Sequence, residues 1–182
     1  MKQTKTCIST KDGEFFDFYN PKGYDFQIET IAHALSNICR YGGHSDFFYS
    51  VAEHSVLVSK IVPADLALCG LLHDASEAFV GDMPSPLKKL CPDYRKIEES
   101  VQAEVARKFG LPYPFPEEIH RADKEVYLAE RLRVTPSAPK DKLWHTHLKP
   151  ASVDIKMYWP WAAKAKFLER YYELIQVDEM AA

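Results

Sequence analysis

The stretch Ala64–Glu77 reads as a buried apolar helix that runs into His73-Asp74, and no other feature limits the fold of this chain as tightly. An imidazole and a carboxylate buried there without partners would cost several kcal/mol. A divalent cation is the economical partner, since a His nitrogen and an Asp oxygen are borderline ligands that suit Zn, Mn, Co, Fe and Ni. The rest of the chain must therefore bring further ligands to the same point.

Two other segments can do so. Ser50-Val51-Ala52-Glu53-His54-Ser55 has the S-x-x-E form of a capping box, with Ser50 at the N-cap and Glu53 at N3. His54 then falls in the first turn of a helix that packs through Val56, Leu57, Val58, Ile61 and Val62. Downstream, Pro116–Glu130 reads as a helix with Asp123 set among Ile119, Ala122, Val126 and Tyr127. His54, His73, Asp74 and Asp123 would give two nitrogens and two carboxylates, which leaves positions on a six-coordinate ion for water and a phosphate oxygen. Open positions mark a catalytic site, where the cation acidifies water and neutralises charge on a phosphoryl group. Glu77 follows His73 by four residues, on the same helical face one turn further, and suits general acid/base work on that water.

The order His54, His73-Asp74, Asp123 resembles the HD-domain phosphohydrolase superfamily. Within it, Ser50–Ser55, His73–Glu77 and Gly81-Asp82-Met83-Pro84-Ser85-Pro86-Leu87-Lys88 are similar to the bacterial and phage 5'-deoxynucleotidase branch, over roughly Phe26 to Glu130. The resemblance implies an all-α, compact HD-domain helical bundle, here with a short N-terminal extension. It also implies metal-dependent hydrolysis of deoxyribonucleoside 5'-monophosphates to deoxynucleoside and phosphate. Glu77 is then catalytic, and Asp82 supports catalysis from the phosphate side; the bland reading of Asp82 is a turn former beside Gly81.

In the resembled family an arginine followed by an aromatic residue, tryptophan in well-known members, contacts the nucleotide. Arg40-Tyr41 stands in that place, and the Arg40 guanidinium suits a two-point grip on phosphate. Tyrosine offers a smaller face and a hydroxyl, a departure that bears on sugar selectivity. His44, in the Gly-Gly loop, is a further substrate contact, and Lys88 is one for phosphate unless Lys88-Lys89 is simply a solvated helix start. A rival activity is that of the compact phage deoxynucleoside triphosphate triphosphohydrolases, which release triphosphate, for example from dATP. The N-terminal segment and the wording Arg40-Tyr41-Gly42-Gly43 look more like that group. A nucleotide-binding regulator without turnover is the reading of another class; Glu77 beside a complete ligand set speaks against it.

Dinuclear HD enzymes need extra histidines between the HD pair and the last aspartate, and only His120 lies there. One divalent transition metal is expected, with Mg arriving on substrate phosphates as a second ion. His33 reads as a packed histidine, His120 as solvent-facing, and His145 and His147 as a loop pair with a weak claim to metal.

Composition fits this picture. At 182 residues and 46% hydrophobic content, one domain over 1–182 is the default, with a core over about 26–130. The net charge of -3 provides no basic footprint, so nucleic acid is not an expected partner. No stretch is long enough to span a bilayer and the N-terminus lacks a signal-peptide apolar region, which points to a cytoplasmic protein without membrane contact. Cys7, Cys39, Cys69 and Cys91 form no C-x-x-C pair and read as thiols, with Cys39 and Cys69 in the core.

Periodicity predicts helices over Phe26–Cys39, Val51–Val62, Ala64–Phe79 and Pro92–Phe109, the last capped by Gly110. A final helix is expected over about 160–176, with its aromatic residues Tyr158, Trp159, Trp161, Phe167, Tyr171 and Tyr172 in the core rather than an interface. Glu14–Tyr19 suits a short strand or hairpin arm, and 133–150 a loop facing substrate or a neighbouring subunit. Homo-oligomerisation is expected from the resemblance.

Overall fold

The computed structural model describes residues 6–135 and 147–181. Its helices are α1 (Ile28–Asn37), α2 (Val51–Ile61), α3 (Ala67–Leu72), α4 (Glu77–Val80), α5 (Ser85–Lys88), α6 (Pro92–Phe109), α7 (Glu117–Arg133) and α8 (Pro160–Ala181). The fold is all-α apart from one small hairpin, as expected.

Helix α2 is the axis of the molecule. Every residue from Val51 to Ser59 is buried, because α1, α3, α7 and α8 all pack against this one helix. Val51, Ala52 and Val56 join a core with Ile31 and Leu35 of α1, Leu71 and Leu72 of α3, and Phe167 of α8. Leu57 and Val58 face a second core with Ala122, Val126 and Ala129 of α7 and with Tyr49 and Ile155. His54 lies one turn before Leu57 and Val58, on their face of α2. The close approach of α3 needs Gly70, where an added Cβ would lie only 3.1 Å from Ser59 Cα.

The N-terminal segment forms a hairpin of β1 (Cys7–Ser9) and β2 (Phe15–Asp17), antiparallel with Ile8 opposite Phe16. Phe16 is fully buried and meets Phe18, Tyr24, Phe26 and Phe79 ring to ring, which ties the hairpin to α4. At the other end, Gly110 caps α6 in the left-handed conformation.

Two elements differ from the sequence reading. The helix expected over Ala64–Phe79 is broken: a 3-10 turn at Ala64–Leu66 leads into α3, which stops at Leu72, and α4 restarts at Glu77. Between them the backbone tightens to i→i+3 bonds, with Ala75 N donating to Leu72 O and Glu77 N to Asp74 O. Buried Gln102 of α6 holds this corner, accepting from Ser76 N at 2.9 Å and donating to Leu72 O at 3.0 Å. Helix α1 covers Ile28–Asn37 and so stops short of the expected Cys39, and Arg40 opens a 3-10 turn (Arg40–Gly43) after a bridge between Cys39 and Ser50. Cys69 is in the core as expected, whereas Cys39 is half-buried at that bridge.

The aromatic residues of the C-terminal segment divide. Phe167 is fully buried and Tyr158 and Tyr171 pack against the core, but Trp159 and Trp161 are 71% and 75% exposed. Trp159 immediately precedes α8 and Trp161 is its second residue. Most of the expected 133–150 loop, His145 included, falls outside the described residues; His147 is exposed.

Candidate functional site

Three helices deliver the expected ligand types to one point. Ser50 caps α2, its Oγ accepting from Glu53 N at 3.1 Å, and so fixes the turn that carries His54. His73 follows the last residue of α3 and its Nδ1 meets Gly70 O at 2.9 Å. A carbonyl can only accept, so Nδ1 carries the proton and Nε2 keeps its lone pair. His54 Nδ1 is likewise engaged, by Glu130 Oε1 at 2.5 Å. The two Nε2 atoms therefore face each other, 3.4 Å apart.

The carboxylates close around them. Asp123 Oδ1 lies 3.1 Å from His54 Nε2 and 3.9 Å from His73 Nε2, while Asp74 Oδ2 lies 3.6 Å and 3.2 Å from the same atoms. Two nitrogens each ~2.1 Å from one ion would stand roughly 3.0 to 3.4 Å apart between right-angled and tetrahedral geometry. The donor set thus fits a single divalent cation. His54, His73 and Asp123 form the tightest group, with ligand atoms all within 4.8 Å of one another. Asp74 faces both imidazoles as well, and is drawn toward Arg40 Nη1 at 3.6 Å.

The electrostatics match a cation site. Burial and the Arg40 charge push His54 down, but Glu130 and Asp123 outweigh them and lift it to about 9. Burial would raise Asp74, yet His73, His54 and Arg40 hold its carboxyl well below the usual range, and the two imidazoles do the same for Asp123.

Beside this cluster lies a group of opposite character. Burial, reinforced by the Asp74 and Asp82 charges, pushes the Glu77 carboxyl well above its ordinary value against the pull of Arg40 and Lys88. Asp82 is raised by burial too. Its turn is positioned by Tyr94, whose hydroxyl donates to Gly81 O at 2.7 Å. Lys88 is no solvated helix start: Nζ bonds Glu98 at 2.6 Å and stands 4.0 Å from Glu77 Oε1. Among the described residues, two buried side-chain atoms lack a hydrogen-bond partner, Arg40 Nε and Glu77 Oε2, and both belong here. Buried polar atoms are ordinarily paired, so an unpaired donor and an unpaired acceptor at one site suit an incoming ligand.

Arg40 and Tyr41 occupy the rim on the α7 side. Arg40 Nη2 and the Tyr41 hydroxyl both reach Glu130 Oε2, at 3.1 and 2.6 Å. Tyr41 holds a left-handed φ of 60°, unusual for a tyrosine, and stacks at 6.2 Å on Tyr127. His44 is exposed at the end of the same turn. His33 and His120 stand outside the cluster, half-buried and exposed respectively.

Three residues that support the site carry no functional signal of their own in the sequence beyond local structure. Glu130 is completely buried at the centre of a four-donor network; its one signal is a place seven residues after Asp123, two turns along the same face of α7. Glu53 looked like half of a capping box, but its buried carboxylate accepts from the backbone N–H groups of Lys156, Met157 and Tyr158 at 2.8 to 3.0 Å. That interaction fastens the segment before α8 to the turn that carries His54. Gln102 shapes the His73-Asp74 corner from a helix about thirty residues away, and nothing local marks it.

Comparison with known proteins yields a consistent set of relatives. The family model described as 5'-deoxynucleotidase YfbR-like matches residues 22–130. The uncharacterized protein YfdR of Escherichia coli (strain K12) is 44% identical over 124 residues, covering 68% of this chain and 70% of that protein. The uncharacterized protein RCAP_rcc00048 of Rhodobacter capsulatus is 32% identical over 185 residues, 90% of this chain and 93% of that one. A 5'-deoxynucleotidase of Vibrio atlanticus is 31% identical over 87 residues, 46% of this chain and 38% of its own length.

Proposed function

This chain belongs to the YfbR-like 5'-deoxynucleotidase family of the HD superfamily, and from that premise we propose that it hydrolyses deoxyribonucleoside 5'-monophosphates to deoxynucleoside and orthophosphate. The observation that carries the reading is the pair of imidazole Nε2 atoms 3.4 Å apart, each faced by the carboxylates of Asp74 and Asp123. His54, His73, Asp74 and Asp123 would hold one divalent transition metal. When bound, such an ion neutralises charge on the phosphoryl oxygens and makes water more acidic.

The remaining chemistry falls to the side chains. Glu77 takes the proton of the water whose oxygen attacks phosphorus, and returns it to the 5'-oxygen as the P–O bond breaks. Its raised affinity for protons suits both halves of that exchange, since a carboxyl of ordinary acidity would be a poor donor to an alkoxide near neutral pH. Arg40, with Nε unpaired, offers its guanidinium to a phosphate oxygen. Lys88 keeps a positive charge near Glu77 on the opposite side. Asp82, raised by burial and lying in the fields of Arg40 and Asp74, orients the leaving group or water. Tyr41 and His44 lie where a sugar would pass.

Release of triphosphate from a deoxynucleoside triphosphate would use the same Glu77 and the same ligands, so product identity is the decisive test. Orthophosphate from deoxynucleoside 5'-monophosphates, with ribonucleotides turned over poorly, is the expected result. Triphosphate appearing from dATP would overturn the monophosphate assignment. Binding of deoxynucleotides without any turnover would make the protein a regulator.

A further inference from the structure

Glu130 touches both functional halves of the site with one carboxylate. Oε1 accepts from Tyr49 OH at 2.8 Å and meets His54 Nδ1 at 2.5 Å; Oε2 accepts from Tyr41 OH at 2.6 Å and Arg40 Nη2 at 3.1 Å. Its side chain is 0% exposed, and its partners lie 76 to 90 residues away in the chain. A carboxylate set among three donors from Tyr41, Tyr49 and Arg40 is an acceptor, so the proton in its contact with His54 belongs to Nδ1. That leaves Nε2 as the His54 nitrogen directed at His73 Nε2 and Asp123, the one a metal would take.

The same group secures the Arg40–Gly43 turn. Tyr41 and Gly42 both have left-handed φ, 60° and 59°, and a tyrosine stays there only where its surroundings compensate the strain. The hydroxyl bond to Glu130 and the Arg40 guanidinium lying 5.7 Å from the Tyr41 ring centre supply that compensation.

Resting on the functional reading above, we propose that Glu130 is a positioning residue that couples the metal ligand His54 to the substrate-facing turn Arg40-Tyr41. It sets the tautomer of His54 through Oε1 and the placement of Arg40 and Tyr41 through Oε2, so metal affinity and nucleotide affinity share one buried anchor. Glu130→Gln preserves shape but puts an amide NH2 group against either the Arg40 and Tyr41 donors or His54 Nδ1, and cannot satisfy both sides.

The test has three arms. In the zinc-loaded wild-type protein, nitrogen-15 NMR of the histidine rings is expected to find His54 protonated at Nδ1; a proton on Nε2 overturns the proposal, and this arm needs no variant to fold. In Glu130→Gln, Mn affinity is expected to fall about 10- to 100-fold, and KM for a deoxynucleoside 5'-monophosphate to rise even at saturating Mn. Unchanged Mn affinity, or a fall in Mn affinity with KM unchanged, overturns the coupling. Tyr41→Phe, which removes one hydroxyl bond, should raise KM and leave Mn affinity as it was; an unchanged KM overturns the turn-holding half. A wild-type protein that binds Mn but hydrolyses no deoxynucleotide would refute the functional reading instead, and the His54 tautomer and Mn arms would still judge Glu130.

Discussion

Two buried glutamates with opposite electrostatics define the chemistry at the residue scale. Burial pushes both toward the neutral form, but Arg40 and His54 hold Glu130 well below the usual carboxylate range, whereas the Asp74 and Asp82 charges drive Glu77 further up. In the proposed function the first keeps its charge and positions, while the second, with a raised affinity for protons, takes one from water and passes it on. Glu77→Gln removes that exchange while leaving size and the proposed ligands alone, so turnover should fall by about 100-fold or more with metal content by elemental analysis unchanged. Turnover at the wild-type rate would remove Glu77 from the catalytic role. Glu77 was legible in the sequence because it sits within the His73-Asp74 motif. Glu130 was not, since all its partners come from distant segments and its only local mark is the seven-residue spacing from Asp123.

At the scale of elements, periodicity was enough to read α1, α2, α6, α7 and α8, because each buries an apolar stripe against neighbours. It failed at the His73-Asp74 corner, where an apolar run with no proline looks helical throughout. There the chain tightens into i→i+3 turns held by Gln102, so Glu77 comes to lie near Asp74 through a backbone geometry other than the i, i+4 helical spacing. The contact between α2 and α3 fixes where that corner lies. Gly70→Ala would set a Cβ 3.1 Å from both Ser59 Cα and Val62 Cγ2, and Gly70 O is the partner of His73 Nδ1. The substitution should cost about 1–3 kcal/mol of stability in a thermal or denaturant melt and also weaken metal binding. An unchanged melt would mean that α3 does not sit on α2 this closely.

For the whole molecule, the candidate ligands come from α2, the α3–α4 corner and α7, so the cluster exists only when these elements are packed together. The N-terminal hairpin and α8 contribute no ligand; they close the core behind α1, α2 and α4 through Phe16 and Phe167. With a net charge of -3 the chain has no general attraction for an anionic substrate, so the proposed function relies on the local cations Arg40 and Lys88, together with a metal, to hold the phosphate. Among the described residues no helix is long and apolar enough to cross a membrane. In the proposed function it is convergence of the candidate ligands, rather than any one of them, that makes the site hydrolytic, so removing the metal is the most direct challenge. Chelator-stripped protein should release no orthophosphate from a deoxynucleoside 5'-monophosphate, and Mn or Co added back should restore release in the wild type but not in Asp123→Ala; hydrolysis that continues at full rate in the stripped protein, or that Asp123→Ala retains, would contradict a metal-dependent site at these residues.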